Sequence, residues 1–384
     1  MSAINPDALP RRAWRPEILF TASFGSITRR RGARLAMILL TLLQAACVQM
    51  GPQVLVEGRA QYNIAVQQTE AQQLLLNIVR NRYNDTILFL DITSITSGFS
   101  RGVNGGLLGT FSSGANSGIA NIGGDIRENP NVFYAPNTGE KFVQQMLTPI
   151  DLRTVALLLQ AGWSIERVML LLGESANQLY NRPIEDESGQ PYDQFLRVAD
   201  SLRNLQRNRQ LIVGLEPRAD ENDATLVLMF TPDAIESTDY RTVCAALSVA
   251  CDGAPLRLRQ GFGTPADSNT LALATRSLFS AIYHLSRHVD APAQHVAAGV
   301  AAPTNDLVGA SSIAGSSLRQ LFHVRSSSEE PEQAAVRIFY RDTWFYIADT
   351  DQDSKTTFAL LSMLIMLKSG DTSGLMPLIT IPSG

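Results

Sequence analysis

The sequence predicts an α+β fold, with helices packed on antiparallel sheet and a glycine-rich insertion able to form a β-hairpin. Three observations carry that prediction. Stretches with apolar residues three and four apart are interspersed with short runs rich in β-branched and aromatic residues. Two of those runs, "QLIVGLEP" and "ATLVLMFTP", are separated only by the acidic turn "RADEND", which joins antiparallel neighbours more readily than parallel ones. Finally, Gly98 to Gly124 holds nine glycines in 27 residues.

Residues 29–47, "RRRGARLAMILLTLLQAAC", read as a secretion signal. Arg29, Arg30, Arg31 and Arg34 form a basic start, Leu35 to Leu43 a short apolar core, and Ala45 and Ala46 precede Cys47. The small-small-Cys ending resembles a bacterial lipobox, with Gln44 where Leu or Val is usual. Cys47 is therefore the expected lipidation site, and residues 1–46 the expected removed segment. Val48 is not the aspartate that retains many lipoproteins in the inner membrane, so a lipid anchor in the outer membrane is expected. Removing Cys47 from three cysteines leaves Cys244 and Cys251 in "CAALSVAC", an even pair for a local disulfide in an oxidising compartment.

The expected body runs from 47 to 290 and contains the insertion 98–126. "EAQQLLLNIVRNRY" places Leu75, Ile78, Val79 and Tyr83 on one helical face, with Thr69 and Gln72 spaced as a capping box. "TILFLDITSI" (86–95) reads as a strand. Further helices are expected over 140–147, after Asp151, after Ser164 through "IERVMLLLGESANQLYN", and from Pro191. A long one, "TLALATRSLFSAIYHLSRHV", is expected after Asn269. Residues 291–317, rich in Ala, Gly, Ser and Pro, read as a linker. A C-terminal subdomain, 318–384, follows. It contains "AAVRIFY" and "TWFYIAD" around a turn at Arg341 and Asp342, a helix capped by Ser354, and a final strand in "LMPLITIP".

Within the glycine passage, Val103, Leu107, Phe111, Ala115 and Ile119 share odd parity, separated on that parity by Gly105, Gly109, Ser113 and Ser117. A period of two is that of a strand, and the stretch has room for two strands of membrane-crossing length with a turn near 112–114. Three readings stay open: an exposed loop, a hairpin packed on the body, or a membrane- or oligomer-forming hairpin. One hairpin cannot cross a bilayer alone, because its edges would leave backbone groups unpaired in lipid; several copies could close a barrel.

Chemistry is sparse. The net charge is -4 without a basic stripe, so a nucleic-acid partner is not expected. "FALLSMLIML" (358–367) is too short to span a bilayer. His284 and His288 in "HLSRH" offer half a metal site at most and are expected as an exposed or capping pair. Asp349, Asp351 and Asp353 lack the glycine and distal glutamate of a calcium loop. Trp344, Phe345 and Tyr346 are expected in the core. There is no phosphate loop, and no catalytic residue, metal or cofactor is expected.

Several stretches resemble a family of predicted lipoproteins of Gram-negative bacteria: "LLLNIVRNRYNDTILFLDITSI", "GEKFVQQMLTPI", "VRIFYRDTWFYIADTD" with "SKTTFALLSMLIML", and "LITIP". The resemblance implies export and lipidation and assigns no activity. The expectation is an exported, outer-membrane-associated lipoprotein with a structural or assembly role, as a homo-oligomer. The alternative is a monomeric periplasmic module that binds a small molecule or glycan.

Overall fold

The computed structural model describes residues 50–112, 115–182, 190–217, 224–265, 267–303 and 321–369. Cys47, the 304–317 part of the linker, and "LMPLITIP" lie outside them. The fold is mixed α+β, as the sequence predicts. Ten described helices accompany three sheets, the largest of six mostly antiparallel strands. The chain divides into two compact units. Among the described residues one comprises those of 50–63 and 91–135, the other those of 64–90 and 136–369.

The first unit contains the sheet made by β1 (Leu90–Ser112) and β2 (Ala115–Pro136). Helix α1 (Met50–Arg82) runs through the unit boundary. It begins well before Thr69, so the expected capping box lies inside a helix. There the Thr69 hydroxyl donates back to the Val66 carbonyl (2.9 Å).

The second unit is the body. Helices α2 (Glu140–Leu147), α3 (Leu152–Gln160) and α4 (Ile165–Leu172) follow the hairpin. Asp151 and Ser164 cap α3 and α4 as expected, each accepting from the backbone amide three residues on (2.7 and 3.5 Å). Helix α4 stops at Gly173, and "GESANQLYN" forms the small hairpin β3 (Gly173–Ala176) and β4 (Leu179–Tyr180) instead of more helix. A Cβ on Gly173 would stand 2.7 Å from the Met169 carbonyl oxygen, so the close helix-to-strand junction needs glycine.

Next come α5 (Gln190–Arg207), β5 (Leu211–Pro217), β6 (Ala224–Phe230), the short α6 (Pro232–Ile235), α7 (Thr238–Leu247), β7 (Leu256–Gln260) and β8 (Thr270–Thr275). The sheet order is β4-β3-β8-β7-β6-β5. All neighbours are antiparallel except β7 and β8. Strand β8 corrects the expected long helix after Asn269: "TLALAT" is a central strand, and only Leu278–Ser286, α8, is helical there. Helix α3 packs on β5, β6 and β7, and α5 packs on α4 and α7.

The expected linker contains a short helix, α9 (Ala293–Ala297), within its described part. Then β9 (Arg325–Ser327), β10 (Ala334–Tyr340) and β11 (Thr343–Ala348) form the three-stranded sheet, and α10 (Gln352–Ser369) follows. Arg341 and Asp342 both have positive φ (49° and 59°), the two-residue turn that matches strand twist. Helix α10 is capped by Asp351, which accepts from the Ser354 amide (3.0 Å). Ser354, the expected cap, is instead buried, and its hydroxyl accepts from the His323 amide (2.8 Å). One continuous apolar core runs from Leu74 through the six-stranded sheet to Leu364.

Candidate functional site at the root of the long hairpin

Strands β1 and β2 are 23 and 22 residues long. At a rise of about 3.3 Å per residue each extends about 75 Å. Only Ser113 and Gly114 separate them, a connection that joins antiparallel strands and not parallel ones. At the other end the Thr93 hydroxyl donates to the Phe133 carbonyl (3.2 Å), across the two strands. Val103, Leu107 and Phe111 lie on β1, and Ala115 and Ile119 on β2. Near the root, Val132, Phe133 and Tyr134 are consecutive and 37%, 56% and 55% exposed, so both faces of β2 present apolar surface.

The body holds the incoming chain by an arrangement that sequence reading missed. Gln73 and Asn77 are one turn apart on α1. The Asn77 amide donates to the Leu88 carbonyl (2.7 Å) and accepts from the Leu88 amide (3.1 Å). Gln73 does the same with Leu90, at 3.1 and 2.7 Å. In an extended chain residues i and i+2 turn their backbone N–H and C=O to the same side. Two side-chain amides on one helix face therefore occupy that edge as a neighbouring strand would. The opposite edge is held by Phe89, whose carbonyl accepts from the Asn137 amide (2.8 Å). The faint signal was a polar Asn77, fully buried, inside the apolar run "LLLNIV".

Just upstream, Asn84 in a left-handed conformation (φ 56°) ends α1, and Asp85 turns toward the β10–β11 turn. The Asp85 carboxylate accepts from the Tyr340 hydroxyl (2.5 Å) and the Arg341 guanidinium (2.8 Å). Burial pushes the Asp85 carboxyl up, but those two bonds and the positive charges of Arg341 and Arg80 outweigh it and hold it below the usual range. Arg341 also lies over the Tyr83 ring, 5.0 Å from its centroid, and Tyr83 bonds His295 Nδ1 (2.7 Å). Burial pushes the Tyr83 phenol up to about 12. Residues 83–90 are thus fixed at both ends before β1 leaves the body.

The other candidates resolve into structure. Cys244 and Cys251 form a disulfide, Cα atoms 5.6 Å apart. His288 is buried and His284 half-buried, correcting the expected exposed pair. Their rings meet edge to face at 5.8 Å, and the His284 ring bonds the Leu170 carbonyl. Asp349 pairs with Lys355 and Asp353 with Arg167, while Asp351 caps α10. Phe345 is fully buried as expected, with Trp344 and Tyr346 half-buried beside it. Among the described residues no group of three or more His, Cys, Asp or Glu could hold a metal, and no helix is long and apolar enough to cross a membrane.

A cavity of about 20 Å³ lies in the core between α3, α4 and the sheet, walled by Val155, Met169, Leu202, Leu228 and Leu271. It is far smaller than the roughly 300–1,000 Å³ of small-molecule sites. No protein-family model, curated protein or solved structure matches the chain.

Proposed function

We propose that this protein is an exported, lipid-anchored component of the outer membrane with a structural or assembly role. In this reading it works as a homo-oligomer whose β1–β2 hairpins stand side by side in a shared wall, a ring or pore, with Cys47 carrying the lipid. Membership of the lipoprotein family resembled above belongs to the same proposal, as does the absence of a catalytic reaction.

One observation carries it. The hairpin is a sheet of two strands only, about 75 Å long, so each strand has an outer edge with no further strand on it among the described residues. Two-stranded sheets are marginal in water and unbonded long edges invite pairing with other chains. The exposed Phe133 and Tyr134 add apolar surface at the root. A second copy supplies the same edges and the same surface, and rotation about one axis closes the set without leftover edges.

The test is deletion of residues 102–122 from the full chain, followed by light scattering in mild detergent and circular dichroism. The expected result is loss of oligomers with the body still folded. An oligomer of unchanged size refutes the shared wall.

A further inference from the structure

We infer that the hairpin has two zones of different solvent, and that its distal zone, residues 102–124, is built to lie in bilayer hydrocarbon while its proximal zone stands in water. This rests on the shared-wall reading above, since a lone hairpin cannot satisfy its edges in lipid.

The charges divide it. From Gly102 to Ser112 on β1 there are eleven residues without a charge, and from Ala115 to Gly124 on β2 there are ten. Below them the same two strands carry Asp91 and Arg101, and Asp125, Arg127 and Glu128. Strands that cross a bilayer need about 9–11 residues, tilted by about 45°. Eleven residues at about 3.3 Å each, so tilted, reach through about 26 Å, close to the roughly 25 Å apolar band of outer-membrane barrels. The whole 23-residue strand is twice what a membrane requires, so a hairpin of uniform environment does not fit a bilayer.

The two strands change character at the same residue count from the root. The Thr93 hydroxyl bond to the Phe133 carbonyl makes these two residues neighbours across the hairpin, and counting eight residues toward the tip from each reaches Arg101 and Asp125. These are the last charged residues on each strand before the tip, and they have opposite sign. Pro130 falls in the proximal zone of β2. It has no N–H to give a ladder, a gap that water fills and lipid does not.

The experiment places single cysteines in the full chain with the native disulfide intact. Thr110→Cys and Phe111→Cys sample both parities of distal β1, and Asn116→Cys and Ser117→Cys those of distal β2. Thr96→Cys, Ser97→Cys and Asn131→Cys sample the proximal zone. Each protein is labelled with an environment-sensitive fluorophore and reconstituted in vesicles of phosphatidylethanolamine and phosphatidylglycerol. It is then quenched in turn by lipid-borne nitroxide and aqueous iodide.

The expected result is strong nitroxide quenching at one or both members of each distal pair, and iodide quenching alone at all three proximal sites. Iodide quenching alone at both distal pairs overturns the inference, as does nitroxide quenching at the proximal sites. Light scattering of the labelled protein separates the two readings. An oligomer with water-exposed tips overturns the membrane zone and leaves the shared wall standing. A monomer overturns both.

Discussion

Replacing Asn77 by alanine measures how firmly the body grips the chain before it leaves as β1. The side chain is fully buried and makes two hydrogen bonds, both to Leu88. Each such bond contributes about 0.5–1.5 kcal/mol net, so the pair is worth about 1–3 kcal/mol. Leu88 is 41% exposed, which lets water take over part of the lost bonding and places the expectation near 2 kcal/mol, at the middle of that range. For a domain of this size that is a fall of about 4–8 °C in Tm. Gln73→Ala removes two equivalent bonds from a half-exposed position and should cost about half as much.

The sharper readout is hydrogen exchange at the Leu88 amide, whose acceptor is lost. A 2 kcal/mol loss of local protection corresponds to roughly 30-fold faster exchange. Wild-type exchange across residues 88–90 in the Asn77→Ala protein would refute the strand-mimic reasoning, even with a lowered Tm. Asn77 would then matter only as a packed residue of the core.

Two further predictions concern the body. Burial, with the positive charges of Arg276, His288 and Arg287, pushes the His284 imidazole well below its usual 6.5. Its folded pKa is depressed, so the folded state is favoured most above the unfolded value near 6.5. Stability then falls as the pH drops below that value, by up to about 1.4 kcal/mol per pH unit. Melting curves between pH 7.5 and 5 should therefore fall more steeply for the wild type than for His284→Phe, and parallel curves would count against it. The Cys244–Cys251 disulfide ties the last turn of α7 to the segment that follows it, closing a short loop, and should contribute about 2–3 kcal/mol. Urea unfolding with and without reductant should show that difference, and coincident curves would contradict it.

The parts of the fold that declare themselves in the sequence are those with a local cause. Asp151 and Ser164 stand just before apolar-periodic runs, where their side chains cap a helix start, and the Arg341–Asp342 turn follows from two flanking strand runs. What hid was decided at long range. "TLALAT" is buried on nearly every side chain because β8 lies between β3 and β7, so it shows no alternation and its alanines and leucines read as helix. Gly173 looked like a tolerable interruption until the strand beside it made its missing Cβ necessary. At the candidate site the strand pattern of 102–119 was legible, because period two survives in composition. The Gln73 and Asn77 clamp was not, since its partners are backbone groups, which carry no residue signature.

The bond from the Asn137 amide to the Phe89 carbonyl has a modular consequence. The chain leaves the body and re-enters it at two neighbouring positions, so everything from Leu90 to Pro136 is a cassette between ends that already touch. Length added to or taken from it in matched pairs of residues is therefore expected to leave the Phe89–Asn137 junction in place. A tight Asn-Gly turn could close the gap outright. The body would then be a self-contained protein, and the cassette a part that selection can resize on its own.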